Sequence, residues 1–305
     1  VPGLDADALW QLAAGKWREI TTNSPDLAPA VALQQRLLRI LLDASAVLDD
    51  SICLPTPGPS VLEKWRRGVP ILHNERVTIP SRSSAILSPL CMALADGGAG
   101  DSALHIADAL AGGTIDGESM VRVSLARNPK AIRTSALHFG LAPDLVWLVA
   151  ELGASPLADH LQRQLFSAPN ADLHAGLADW DRGYCPFCGS WPAFIEARDD
   201  ARRPRCSFCA LEWRLVPDRC LYCGKGSADF VAAAPDAHRR HRRVDLCRSC
   251  GSYTKVLEVA APTPFPLVAV EDLATLDLDQ GAMKRGYRRP DLFDFDKIEP
   301  FKSTC

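Results

Sequence analysis

The 305-residue sequence lacks several signatures that would fix a function class at once. No run approaches the 18 apolar residues of a membrane helix, so membrane insertion is not expected. The opening residues, VPGLDADALW, show neither a basic n-region nor an apolar h-region, and no export signal is expected. Charge of one sign is missing too. With 34 Lys+Arg against 37 Asp+Glu, a net charge of −3 gives no general attraction to nucleic acid or anionic membrane. Gly97-Gly98-Ala99-Gly100 has no preceding strand and no following lysine, so it is not a phosphate-binding loop. His73, His105, His138, His160 and His174 are scattered, and no catalytic constellation emerges. The expectation is a protein that is not an enzyme.

What the sequence has is cysteine in a pattern. Four Cys-x-x-Cys hooks fall within 66 residues: CPFCG at 185–189, CSFCA at 206–210, CLYCG at 220–224 and CRSCG at 247–251. They hold eight of the eleven cysteines. One hook presents two thiolates on one face of a tight turn, and two facing hooks complete a tetrahedral cage for zinc or rubredoxin-type iron. The spacings C-x₂-C-x₁₇-C-x₂-C and C-x₂-C-x₂₃-C-x₂-C suit such ribbons. Sequential pairing puts Cys185, Cys188, Cys206 and Cys209 on one ion and Cys220, Cys223, Cys247 and Cys250 on the other. An interleaved cross-brace stays open, but each repeat already contains a full ligand set. His238 and His241 are surplus beside eight thiolates. Disulfides are the bland alternative, and hooks of this kind fit a reducing cytosol better.

Gly189, Gly224 and Gly251 follow three of the hooks and permit positive φ there. Ala210 follows the second hook, so that turn is expected to differ. Strands are expected at 193–197, 212–216, 229–233, 242–246 and 253–259, giving hook, hairpin, hook and closing strand twice over. Upstream, helical periodicity marks 4–23, a segment after Pro29, then 60–66, 83–95, 102–110, 116–126, 129–138, 143–152 and 156–166. Cys53 and Cys91 read as small buried hydrophobes, and Cys305 as a free terminal thiol. Residues 270–283 read as a closing helix. The expected architecture is multidomain α plus small β: a helical domain at 1–180, ribbons at 181–218 and 219–260, and a C-terminal connection, helix and tail at 261–305.

Zinc ribbons often bind nucleic acid, and Arg202, Arg203, Arg205 and the run 238–243 make that the rival reading. Residues 181–258 hold 14 Lys+Arg and 10 Asp+Glu. Eight thiolates and two divalent ions contribute a net −4, which cancels that excess and leaves the loaded region near neutral. A phosphate-backbone binder needs a clear positive excess, so no nucleic-acid partner is expected.

The runs CPFCGSWPAF, CSFCALEWRLVPDRCLYCG, CRSCGSYTKVLE and VEDLATLDLDQGAMKRGYRRP together resemble the formate dehydrogenase accessory protein family, FdhE. The resemblance is most specific over 184–290, in the hook order, Glu212-Trp213 and Gly286-Tyr287. It implies a cytoplasmic, non-enzymatic maturation factor with rubredoxin-like iron sites. It also implies contact with the catalytic subunit of a respiratory formate dehydrogenase, which carries a molybdopterin cofactor, before export. Carried over residue by residue, the functional positions are the eight hook cysteines. The cofactors are then two metal ions, with iron favoured and zinc the alternative.

Overall fold

Apolar residues spaced by three and four build the first half of the chain into helices, several of them begun by a capping side chain. α1 (Ala6–Asn23) starts at Asp5, whose carboxylate accepts from the Ala8 N–H at 2.7 Å. Its buried face of Leu9, Ala13, Trp17 and Ile20 meets α2 (Ala28–Ala46), where Gln34 accepts the Trp17 indole N–H at 2.7 Å. In the computed structural model, residues 4–48, 52, 54, 59–167, 169–215, 219–234 and 241–291 are described. The expectations for Cys53, His238 and Cys305 lie outside them.

The described helices continue as α3 (Pro59–Arg66), α4 (Ser81–Ala85), α5 (Leu87–Leu94), α6 (Gly100–Ala111), α7 (Gly117–Leu125), α8 (Pro129–His138), α9 (Pro143–Ser167) and α10 (Ala171–Ala178). Three stretches differ from the sequence reading. The helix expected at 83–95 breaks at Ile86 into α4 and α5. The segments expected at 143–152 and 156–166 are one 25-residue helix with Pro156 inside it. A proline there removes a donor to the Leu152 carbonyl, and Ser155 Oγ supplies a replacement at 2.9 Å. Residues 153–162 are all buried, so tertiary packing holds the helix through its breaker. α10 was not anticipated; Asn170 caps it by accepting from the Leu173 N–H at 3.0 Å.

The chain divides into two compact units. One comprises Val1–Leu54, Asn74–Leu165 and Phe265–Val270. Its core includes Leu87, Leu90, Ile106, Val121, Val149 and Leu157, all closed to solvent or nearly so. The other comprises Pro55–His73, Phe166–Pro264 and Glu271–Cys305. This second unit holds every hook cysteine and the only sheet among the described residues, together with α12 (Leu276–Met283). α11 (Val268–Ala274) precedes α12, and the single helix expected at 270–283 breaks at Thr275.

The sheet has five strands: β1 (Pro192–Arg198), β2 (Ala201–Cys206), β3 (Phe230–Ala233), β4 (Arg242–Cys247) and β5 (Ser252–Glu258), in the order β2-β1-β5-β4-β3. Its first hairpin, β1–β2, turns through Asp199 and Asp200, both at positive φ, as a two-residue hairpin loop requires. The strand expected at 212–216 is absent from the described part of that span; Glu212 makes one isolated bridge to Arg205. β2 takes its place, and its Pro204 is tolerated because β2 is an edge strand. The two repeats therefore do not close separately. β5 pairs antiparallel with β4 and parallel with β1, so one strand closes both hairpins.

Candidate metal centres

Three of the hooks are tight turns whose first residue anchors the loop through its own backbone. The N–H groups of Gly189, Gly224 and Gly251 donate to the carbonyls of Cys185, Cys220 and Cys247 at 2.8, 2.8 and 2.9 Å. Those glycines lie at φ 84°, 71° and 67°. Ala210 corrects the sequence expectation: at φ 54° it adopts the same left-handed conformation despite its Cβ. At the second hook the N–H groups of Phe208 and Cys209 both point at Cys206 Sγ, 3.4 Å away. Such turns aim backbone dipoles at a sulfur and favour its negative charge.

The sulfurs converge in two groups, Cys185, Cys188, Cys206, Cys209 and Cys220, Cys223, Cys247, Cys250, with ligand atoms in each all within 4.8 Å of one another. Hooks adjacent in sequence meet, and the interleaved arrangement does not occur. The close separations are 3.6 Å (Cys185–Cys209), 3.4 Å (Cys188–Cys206), 3.8 Å (Cys220–Cys250) and 3.8 Å (Cys223–Cys247). A disulfide needs about 2.05 Å. A regular tetrahedron with metal–sulfur bonds of about 2.3 Å has edges of about 3.8 Å. The spacing is that of a cage around one ion, and it accepts zinc and iron alike.

Electrostatics supports the same fit. Burial holds the Cys185 and Cys209 thiols well above the usual range, and it raises Cys220 and Cys223 as well. Burial also acts on Cys250, but hydrogen bonds from Ser252 outweigh it and lower that thiol. In the first group, where all four cysteines are buried, four thiolates are tenable only beside a cation, and the spacing in both groups can hold one ion. Elsewhere among the described residues no other group of three or more His, Cys, Asp or Glu side chains converges. Cys91 is fully buried, and burial pushes its thiol to about 11.

Sequence reasoning missed the supports of the first hook. The Trp65 indole N–H and the Ile71 N–H both donate to the Pro186 carbonyl at 3.0 Å, and the Leu72 N–H donates to Phe187 at 2.8 Å. Tyr184 Oη donates to the Gly68 carbonyl at 2.6 Å. Residues 65–72 thus strap the first knuckle from more than 110 positions upstream, and no local pattern signals this. An aromatic train, Phe166–Trp65–Trp180–Tyr184–Trp191–Tyr222, joins rings at centroid distances of 4.9 to 6.3 Å and ends between Cys220 and Cys223.

Among the described residues, several arginines of the rival reading are engaged inside the second unit. Arg202 pairs with Asp245, Arg205 with Glu212 at 3.4 Å, and Arg242 with Asp277 at 3.3 Å. Arg198 pairs with Glu212, and Arg243 approaches Glu258 at 3.6 Å. On β5, the fully buried Lys255 ammonium lies 2.5 Å from Asp272 and 2.7 Å from Asp279. Arg289 reaches the same two carboxylates at 2.8 Å, and Tyr253 Oη donates to Asp279 at 2.7 Å. Burial alone would raise Asp272, yet Lys255 and Arg289 hold its carboxyl below the usual range. This network ties the C-terminal helices to the sheet.

No family model matches the chain. It is 31% identical over 113 residues to a protein named FdhE homolog from Aquifex aeolicus, covering 35% of this chain and 40% of the relative. It is 32% identical over 139 residues to protein FdhE of Escherichia coli O127:H6, covering 43% and 44%. The matched region thus spans less than half the length of these curated relatives. The crystal structure of the FdhE protein from Pseudomonas aeruginosa superposes with a TM-score of 0.60 over 93% of this chain and 94% of that one, at 20% identity. The chain is thus similar to FdhE proteins over part of its sequence at about 30% identity, and it shares its fold with one of them over nearly its whole length.

Proposed function

We propose that the protein is an accessory factor for maturation of a respiratory formate dehydrogenase. In this reading it binds the catalytic subunit in the cytoplasm before export and performs no chemistry on a substrate of its own. The eight hook cysteines hold two metal ions, iron being favoured. The observation that carries the reading is the pair of four-sulfur groups in a chain whose fold follows an FdhE protein along its length. A cage of four thiolates has no vacant corner for substrate or water, so Lewis-acid hydrolysis does not suit it. Iron in such a cage can pass single electrons, and either ion adds folding free energy on the order of 10 kcal/mol. The internal pairing of Arg202, Arg205 and Arg242 favours this reading over nucleic-acid binding.

The test uses affinity-tagged full-length protein in a host that makes a respiratory formate dehydrogenase but lacks its own accessory factor. Restored formate oxidation, with co-purification of the catalytic subunit, is the expected result. Nucleic acid in the eluate without any oxidoreductase subunit would refute it. Elemental analysis and the visible spectrum of the same preparation decide between red, reducible iron and colourless zinc.

A further inference from the structure

The two cysteine groups have different access to their surroundings. In the first, all four cysteines are buried. In the second, Cys220 and Cys247 are buried, Cys250 is half-buried and Cys223 is exposed. A cavity of about 380 Å³ borders Cys220 and Cys223, a size that suits a small ligand or a few residues of a peptide. Trp191 is one wall, and Arg67 and Arg219 are among its lining residues. Unlike the paired arginines of the sheet, Arg67 and Arg219 have no carboxylate partner among the described residues.

These features specify a visitor. A group that engages a metal–thiolate edge must be a soft donor, and a thiolate is the soft donor that competes with cysteine. Unpaired guanidinium groups beside that edge draw in an anion and favour thiolate over thiol. We propose that the second centre is open to ligand exchange with an anionic thiol entering through this cavity, Cys223 being the sulfur that leaves, while the first centre is closed. In the exchange the incoming sulfur bonds to the ion as the bond to Cys223 Sγ breaks. The proton of the incoming thiol ends on Cys223. No electron is transferred, so no oxidant or reductant is needed. The inference rests on the preceding reading only in taking each cysteine group to hold an ion; the identity of the client does not enter.

The experiment starts from full-length protein loaded with zinc and shown by native mass spectrometry to carry two ions. Failure to load two ions would count against the metal reading itself, before the exchange is tested. Zinc release to 4-(2-pyridylazo)resorcinol is then followed with glutathione, with the peptide acetyl-Glu-Glu-Cys-Glu-Glu-amide, or with neutral 2-mercaptoethanol. One ion should leave at least about 30-fold faster than the other, at a rate that rises with glutathione or peptide. A faster peptide would indicate a protein-borne cysteine, and faster glutathione a free small thiol. N-ethylmaleimide, mapped by peptide mass spectrometry, should label Cys223 before Cys185, Cys188, Cys206 or Cys209. Replacing both arginines (Arg67→Gln with Arg219→Gln) should slow exchange with the anionic thiols at least about fivefold and leave the 2-mercaptoethanol rate unchanged. Release of both ions with one rate constant, first labelling in the closed centre, or an equal response of charged and neutral thiols to the double variant would each overturn the proposal.

Discussion

Replacing Gly183 by alanine tests how tightly the two cysteine repeats are bound together. Gly183 has ordinary backbone geometry, so the expected effect comes from space alone. A Cβ built there would stand 1.8 Å from the Leu221 carbonyl oxygen and 2.5 Å from its carbon. An ordinary carbon–oxygen contact is roughly 3.3 Å, so one of the two segments must retreat by about 1.5 Å. The Gly183 side is fixed by the Tyr184 hydroxyl on Gly68 and by the three donors from Trp65, Ile71 and Leu72 to the first knuckle. Leu221 lies next to Cys220 and borders the cavity, with room to move. The third knuckle should therefore yield. Metal–sulfur cages tolerate only about 0.2 Å of misplacement, so a shift several times larger should empty the second centre and spare the first. Native mass spectrometry should show one ion in Gly183→Ala where the parent chain carries two. Two tightly held ions and an unchanged Tm would refute the reasoning.

Four further outcomes follow from particular contacts. Gly251→Ala meets no atom within 4 Å and suffers only left-handed strain, so it should cost about 1–2 kcal/mol in urea unfolding with both ions retained. Ser155→Ala should cost about 1–2 kcal/mol, since it leaves the Leu152 carbonyl without its hydroxyl donor, while the same change at exposed Ser135 should cost less than about 0.5 kcal/mol. Lys255→Met strips the buried cation from Asp272 and Asp279 and should destabilise the second unit by about 3–5 kcal/mol by the same measurement. Asp272 has a folded pKa below its unfolded one, so its contribution is fully present above about pH 4 and is lost as pH falls through the lower folded value. Acid titration should thus show a loss of stability that Asp272→Asn reduces.

The cysteine pattern made the pairing of hooks legible, because thiol spacing is local and each repeat contains two hooks. Most helices were legible for the same reason: periodicity and caps act within a few residues. The misses come from forces that no short window contains. β2 holds three arginines and one proline, and it becomes a strand because β1 pairs with it and because Glu196, Glu212 and Asp245 receive its guanidinium groups. α9 continues through Pro156 because burial on all sides and one hydroxyl offset the missing donor. Ala210 accepts a conformation that its side chain disfavours because the second hook must close like the others. The strap at 65–72 and the pocket beside Cys223 depend on residues far apart in the sequence, so they appear only in three dimensions.

β5 carries a further consequence. With β4 on one side and β1 on the other, it is the seam of what reads as a tandem duplication. Cutting the chain between its two halves would strip the first hairpin of its inner neighbour and bare a row of backbone donors and acceptors ready to pair with any passing strand. The duplicated halves have become mutually dependent, so neither is expected to survive as a separable miniature.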